Sequence, residues 1–246
     1  MNLKSSSPTR AFQRSLYPLL RAFILLLCVS APLLGGEAYL APHQPDGVAL
    51  LPPPPAPDSA EQAADLASAR AVFKARTPAE QARAETDSSL SLFNFAPAIG
   101  LSFQPGKFPK METLFQCVKT NISDVINIPK DHWKRSRPYE LDKELLLGKP
   151  ESSFSYPSGH STRGTMQALL LVELFPEKRE AILEFGRTIG WDRVLVGKHF
   201  PTDVYAGRVL GQAIVRELMA NPSFQRDLAE VKSEVQERQP VAVPSR

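Results

Sequence analysis

The sequence predicts an all-α, single-domain helical bundle, and three observations carry that expectation. Met111, Leu114, Phe115, Val118, Ile122, Val125 and Ile126 recur at three- and four-residue spacing, which lines one face of a helix. Helix starts are marked by a capping residue, a proline or both at Thr77-Pro78-Ala79-Glu80, Pro201-Thr202-Asp203 and Asn221-Pro222-Ser223. No stretch shows the period-two alternation of a half-buried strand, and no internal repeat appears. At 246 residues the chain is long enough to bury a substantial core.

The N-terminus is set apart from that bundle. Lys4, Arg10, Arg14 and Arg21 precede the apolar stretch Ala22 to Leu34, and the small residues Gly35 and Gly36 follow. This is the pattern of a secretory signal peptide over residues 1–36. The apolar run is short for a membrane span, which needs about 20 residues; an uncleaved anchor is the alternative. Leu27 is too bulky before Cys28 for a lipoprotein signal. The whole chain carries 29 Lys+Arg against 26 Asp+Glu, and the leader holds four of the basic residues and none of the acidic ones. Beyond it, 29 less 4 leaves 25 basic residues against 26 acidic ones, so the positive balance belongs to the leader and argues for neither nucleic acid nor a membrane surface. Cys117 is then the one remaining cysteine, on an apolar helical face, and reads as an inert thiol rather than a nucleophile.

Residues 37–57 are proline-rich, with Pro52 to Pro55 at their centre, and should be extended with no core of their own. Asp58 or Ser59 caps a helix through about Arg76, and the Thr77–Glu80 box starts the next. Residues 87–106 supply apolar surface without a clear period. The long amphipathic helix from Lys110 is expected to end at Pro129. Further helices are expected from about Ser161 to Phe175, from near Glu177 through Leu195, from Pro201 to about Met219 with Thr202 as cap, and from Asn221 to Arg238. Gly207 and Gly211 would let a neighbouring helix come close. The tail at 239–246 reads as flexible. The Asn121-Ile122-Ser123 sequon lies within a helix and reads as chance.

Three separated segments share one chemistry. The first offers Lys130 and Arg137 with Arg135 between them; the second is Ser155-Tyr156-Pro157-Ser158-Gly159-His160-Ser161; the third runs from Trp191 to Asp203. The second reads as a tight turn into a helix N-terminus, whose free N–H groups and dipole favour an anion. Taken singly, each segment has an ordinary explanation: a solvated cation, a turn, a helix-start His–Asp pair. Together they supply cations, a glycine turn, two histidines and a carboxylate, which is what metal-free phosphoryl transfer requires. Guanidinium and ammonium groups stabilise charge on the equatorial oxygens. One neutral histidine attacks phosphorus while a second, protonated, serves the leaving oxygen, and a carboxylate fixes the attacker's tautomer.

These segments resemble the signature of the type 2 phosphatidic acid phosphatase (PAP2) superfamily, Lys-x6-Arg-Pro, Pro-Ser-Gly-His and Ser-Arg-x5-His-x3-Asp. Lys130 to Arg137-Pro138 matches the first, Pro157 to His160 the second, and Arg193, His199 and Asp203 the third. The leader, the proline run, Arg135-x-Arg137-Pro138 and Tyr156 before the turn are similar to bacterial class A non-specific acid phosphatases. The resemblance implies an all-α bundle of the PAP2/haloperoxidase type over residues 58–238 and a broad-specificity acid phosphatase acting through a phosphohistidine. It implies that His199 is the nucleophile, oriented by Asp203, and that His160 is the acid for the leaving alcohol and then the base for water. Lys130, Arg137, Ser158, Gly159 and Arg193 would hold the phosphate. No metal and no cofactor are implied. The departure is Asp192, where the family has serine; it should point away or pair with a cation such as Arg193. His43 and His132 fall outside the pattern.

The resemblance also implies small phosphomonoesters as partners, no nucleic acid, no membrane after leader cleavage, and a periplasmic or secreted location; a homo-oligomer is compatible with it. The alternatives are a vanadium-dependent haloperoxidase, in which the matching histidine binds vanadate, an integral membrane lipid phosphatase, and a non-catalytic phosphoester-binding protein. No long apolar run follows the leader, and Glu173 interrupts the next most apolar stretch, Ala168 to Phe175, which counts against the membrane enzyme. Trp133 would wall the pocket or join the core, and residues 87–110 are candidates for the pocket wall.

Overall fold

Helix starts in the computed structural model, which describes residues 38–238, fall largely where the sequence places caps. The leader at 1–36 and the tail at 239–246 lie outside the described residues. Ser59 Oγ accepts from Gln62 N (3.1 Å) and opens α1 (Ala60–Ala75). Thr77 and Glu80 form the capping box that opens α2 (Pro78–Thr86). Upstream, a single helical turn, Gly47–Leu50, is capped by Asp46. Tyr39, Leu40 and Leu51 are buried, and Tyr156 Oη donates to Pro52 O (2.6 Å), so the proline-rich segment is strapped onto the bundle.

The long helix expected from Lys110 to Pro129 is two helices, α3 (Pro109–Asn121) and α4 (Ser123–Trp133), broken at Ile122. Pro129 lies inside α4 instead of ending it. It has no N–H to offer Val125 O, and Gly47 packs into this place: a Cβ there would stand 2.5 Å from Pro129 Cγ and 3.5 Å from Val125 O. Lys130 therefore sits on the last turn of α4, buried, and not in a following loop.

The helix that follows the glycine turn is α5 (Gly159–Leu174), capped by Ser158, two residues earlier than expected. Then come α6 (Arg179–Leu195), α7 (Pro201–Ala220) and α8 (Pro222–Arg238). Phe200, not Thr202, is the N-cap of α7: Asp203 accepts the Phe200 N–H (2.9 Å) while the Thr202 hydroxyl bonds Asp65. Asn221 Oδ1 accepts from Ser223 N and Phe224 N (2.8 and 3.1 Å) to start α8. No strand occurs among the described residues, and the fold is all-α.

Eleven of the sixteen residues of α5 are buried, so it is covered around most of its circumference, by α6 on one side and α7 on the other. The segment at 87–110 buries Phe95, Phe103 and Phe108, with Phe103 and Phe108 edge-on to Phe175 (5.8 and 6.3 Å), and so serves the core. Trp133 likewise packs on Tyr156 (5.0 Å). No helix among the described residues is long and apolar enough to cross a membrane.

The approach of α7 to α5 needs glycine. A Cβ on Gly207 would lie 2.6 Å from Ser158 O, and one on Gly211 2.6 Å from Thr162 O. Glycine to alanine in a helix normally stabilises by about 1 kcal/mol. Here the intruding methyl meets backbone oxygen, and overpacking costs about 1–3 kcal/mol. Gly207→Ala and Gly211→Ala are each expected to lower the urea midpoint; an increase in either would show that the helices can separate without penalty.

Candidate active site

The site is assembled around Asp203, in the first turn of α7, where the helix dipole favours negative charge. Its side chain has no solvent exposure. Oδ1 accepts from Arg135 Nη1 (2.6 Å); Oδ2 accepts from Ser155 Oγ (2.5 Å), Phe200 N (2.9 Å) and His199 Nδ1 (3.2 Å). A carboxylate can only accept, so the His199 proton lies on Nδ1. Arg137 Nη1 can only donate, and it stands 3.3 Å from His199 Nε2. Both partners select the same tautomer, with the Nε2 lone pair facing the cations. Burial, then the charges of Arg137, Lys130 and Arg193, hold the His199 pKa well below the usual imidazole range, so the ring is neutral.

Arg137 meets that lone pair directly, and the charges of Lys130 on α4 and Arg193 on α6 are felt at the ring. Lys130 Nζ donates to Phe154 O and to Ser155 O (3.3 Å). Arg137 donates to Ser153 O (2.9 Å), Lys198 O (2.8 Å), Ser153 Oγ and Phe154 O (both 3.2 Å). Arg193 pairs through Nη2 with Glu151, while its Nε is buried with no hydrogen-bond partner. Burial, and then the charge of Arg137, push Lys130 down to about 7; burial also pulls Arg137 and Arg193 below the guanidinium range. Ser158 Oγ caps α5 by accepting from Ser161 N (3.3 Å), and Ser158 N donates to Asp203 O (3.0 Å), which locks the glycine turn to α7. Gly159 and His160 are the first two residues of α5, whose amides have no intrahelical acceptor. The arrangement gathers three cations and a helix N-terminus around a neutral imidazole, and such a set of donors can hold a tetrahedral anion.

His160 is half-buried at the rim, with Nε2 donating to Ser88 O (3.1 Å). A proton available for transfer therefore belongs on Nδ1. Burial, then the Arg193 charge, push its pKa down to about 4. Ser88, Glu151, Arg193 and Lys198 line an adjoining cavity of about 340 Å³. Of residues 87–110, Ser88 is the one on this wall.

Arg135, grouped by sequence with Lys130 and Arg137, is turned away from the anion seat. Besides Asp203 it donates to Thr202 Oγ1 (2.7 Å), Gln62 Oε1 (2.7 Å) and Asp65 Oδ2 (2.7 Å), and it lies over the Phe200 ring (4.0 Å). Sequence reasoning gave no role to Ser155, Gln62, Asp65, Glu151 or Ser88. Ser155 adjoins the glycine turn, and that adjacency was its only signal. Cys117 is partly buried, and burial raises its thiol pKa.

Asp192 pairs with Arg83 of α2, not with Arg193. Arg83 Nε and Nη2 donate to its two oxygens at 3.0 and 2.7 Å, which holds α2 on α6 and turns the carboxylate from the anion seat. Its side chain is 0 % exposed and that of Arg83 is 39 % exposed. Removing Arg83 strands a buried charge, which costs about 3–5 kcal/mol. Burial already raises the Asp192 pKa, and loss of Arg83 raises it further. The folded state then binds more protons than the unfolded state, so stability increases as pH falls through the folded-state pKa. Arg83→Met is expected to be destabilised at pH 7 in urea melts, with the deficit narrowing toward acid pH. A deficit independent of pH would show that Asp192 is not the charge Arg83 balances.

The PAP2 superfamily profile matches residues 113–226, a span that contains Lys130 through Asp203. The chain is 29% identical over 200 residues to the acid phosphatase of Zymomonas mobilis subsp. mobilis, covering 78% of this chain and 76% of that one. It is 30% identical over 199 residues to the non-specific acid phosphatase of Providencia stuartii, covering 77% and 80%. Among solved structures it is similar to the transmembrane PAP2 type phosphatidylglycerolphosphate phosphatase from Bacillus subtilis, at 22% identity and a TM-score of 0.48 over 79% of this chain and 92% of that one. With that likeness extending over four-fifths of the Providencia protein, the chain belongs to the PAP2 superfamily.

Proposed function

We propose that this chain hydrolyses phosphate monoesters through a phosphohistidine on His199, without a metal ion. The observation that carries the reading is the His199 ring: Nδ1–H held by Asp203, and an Nε2 lone pair beside Arg137, under the charges of Lys130 and Arg193. The orphaned Nε of Arg193 is a buried donor that a phosphate oxygen would satisfy. The acid phosphatases among its relatives support the same class of reaction.

In the first step His199 Nε2 forms a bond to phosphorus as the ester P–O bond breaks. The leaving oxygen takes a proton from His160 and departs as the alcohol. In the second step neutral His160 takes a proton from water, whose oxygen attacks phosphorus and breaks the N–P bond. Orthophosphate is released, His199 is neutral again and His160 is again protonated. The three cations and the α5 amides stabilise the equatorial oxygens throughout. His199→Ala is expected to lose essentially all hydrolysis of phenyl phosphate, while a chelator leaves the wild type unaffected. Activity in that variant would remove the nucleophile assignment, and loss on chelation with recovery on adding a divalent ion would remove the metal-free one.

Two groups set the pH dependence. His160 must carry a proton to donate one, and its pKa is about 4; Lys130 must be charged to hold phosphate, and its pKa is about 7. Because kcat/KM reports the free enzyme, it should fall as pH rises, first through the His160 value and again through the Lys130 value. The substrate's own titration, near pH ~6, overlays both and is common to every variant. Lys130→Arg substitutes a cation that stays charged, so its profile, scaled to its own maximum, should lack the upper limb. An upper limb that survives would assign it to another group.

A further inference from the structure

Every arginine described so far has an acceptor. Arg83 has Asp192, Arg135 has Asp65 and Asp203, Arg137 has four backbone or hydroxyl oxygens, and Arg193 has Glu151. Arg163 differs. It is half-buried in the second turn of α5, its Nε is buried with no hydrogen-bond partner, and no carboxylate lies within ion-pair distance among the described residues. A guanidinium nitrogen buried without an acceptor is unfavourable, and structures keep such atoms rarely. Burial alone pulls its pKa down, with no anion offsetting the effect.

Its position says what could complete it. Arg163 follows His160 by three residues and Gly159 by four, so all three share one face of α5. Its Nη1 reaches back over the helix start, 3.1 Å from where a Gly159 Cβ would stand. Its charge is felt at His160 and at Lys130. The transferred phosphoryl group already meets Lys130, Arg137, Arg193 and the first amides of α5. Helical side chains lean toward the N-terminus, so the guanidinium lies at the mouth of α5 beside the proton donor, within reach of a group carried on the departing alcohol.

We propose that Arg163 is a specificity residue that binds a second anionic group, a carboxylate or a second phosphate, on the leaving alcohol of the monoester. This rests on the proposed hydrolase reading, because it takes the side of His160 as the leaving-group side. The chain then favours phosphomonoesters of hydroxy acids and bisphosphates over those of neutral alcohols.

Two matched substrate pairs test it: 3-phosphoglycerate against glycerol 3-phosphate, and fructose 1,6-bisphosphate against fructose 6-phosphate. A charge-assisted hydrogen bond of ordinary strength makes the wild-type KM about tenfold lower for the second-anion member of at least one pair. R163Q should erase that ratio and R163K should restore part of it. Calorimetric binding of 3-phosphonopropionate against propylphosphonate gives the same ratio without turnover. No wild-type preference in either pair, or an R163Q effect equal for both members, overturns the proposal. Equal effects would place Arg163 on the transferred phosphate or in the fold, and thermal melts of R163Q and R163K separate those two. A wild type that binds 3-phosphonopropionate preferentially but hydrolyses neither pair would sink the hydrolase reading and leave the anion subsite standing.

Discussion

A carboxylate with no solvent contact, Asp203, receives four donors from three stretches of chain: Arg135, Ser155, and the His199 ring with the Phe200 amide beside it. Taking such a charge out of water costs several kcal/mol unless its lone pairs are filled, and here each oxygen is occupied. The same contacts set the geometry of everything nearby. Arg135 ties Asp203 back to Gln62 and Asp65 on α1, Ser155 ties it to the loop that precedes the glycine turn, and the Asp203 carbonyl accepts the Ser158 amide at the mouth of α5. One side chain thus fixes the tautomer of His199 and, with its carbonyl, the position of the helix N-terminus facing it.

Around this anchor the chain tolerates a concentration of positive charge. Lys130 and Arg137 rest on the carbonyls of residues 153–155 and 198, neutral dipoles that lower the cost of burial without cancelling the charge. Besides Asp203, Glu151 is a carboxylate in the cluster, and it engages Arg193 through a single nitrogen. Burial first, and then the neighbouring cations, depress the pKa values of Lys130, His160 and His199, all in the direction that a bound anion would reverse. Preorganised donors of this kind stabilise developing charge without reorganising when it forms.

Local chemistry was legible in the sequence. Ser59, Thr77 and Asn221 cap helices where expected because capping is decided within three residues. Gly207 and Gly211 announced a close helix crossing for the same reason, since a missing side chain is visible without knowing the neighbour. The error at Pro129 arose because proline reads as a terminator, whereas Gly47, eighty-two residues upstream, fills the space beside it. Partner choice was the illegible part. Arg135, noted only as lying between Lys130 and Arg137, has its partner Asp65 seventy positions away, and Asp192 found Arg83 across 109 residues. Motif spacing identifies which groups gather; the fold determines which oxygen each nitrogen meets.

The two histidines show how environment divides one kind of side chain between two tasks. Both have pKa values lowered by burial and by neighbouring cations, Arg193 among them in each case, so the direction of the shift does not separate them. Their contacts do. His199 is enclosed, with a carboxylate on one nitrogen and a guanidinium beside the other, so it stays neutral and shielded from solvent. His160 is half-exposed and holds only a backbone carbonyl, so a proton can enter and leave as the charge beside it changes. An arriving phosphate supplies that change: its negative charge offsets Arg193 and draws the proton onto His160 when a leaving oxygen is about to need it. Under the proposed mechanism, the acid is armed by the substrate and the nucleophile by the fold.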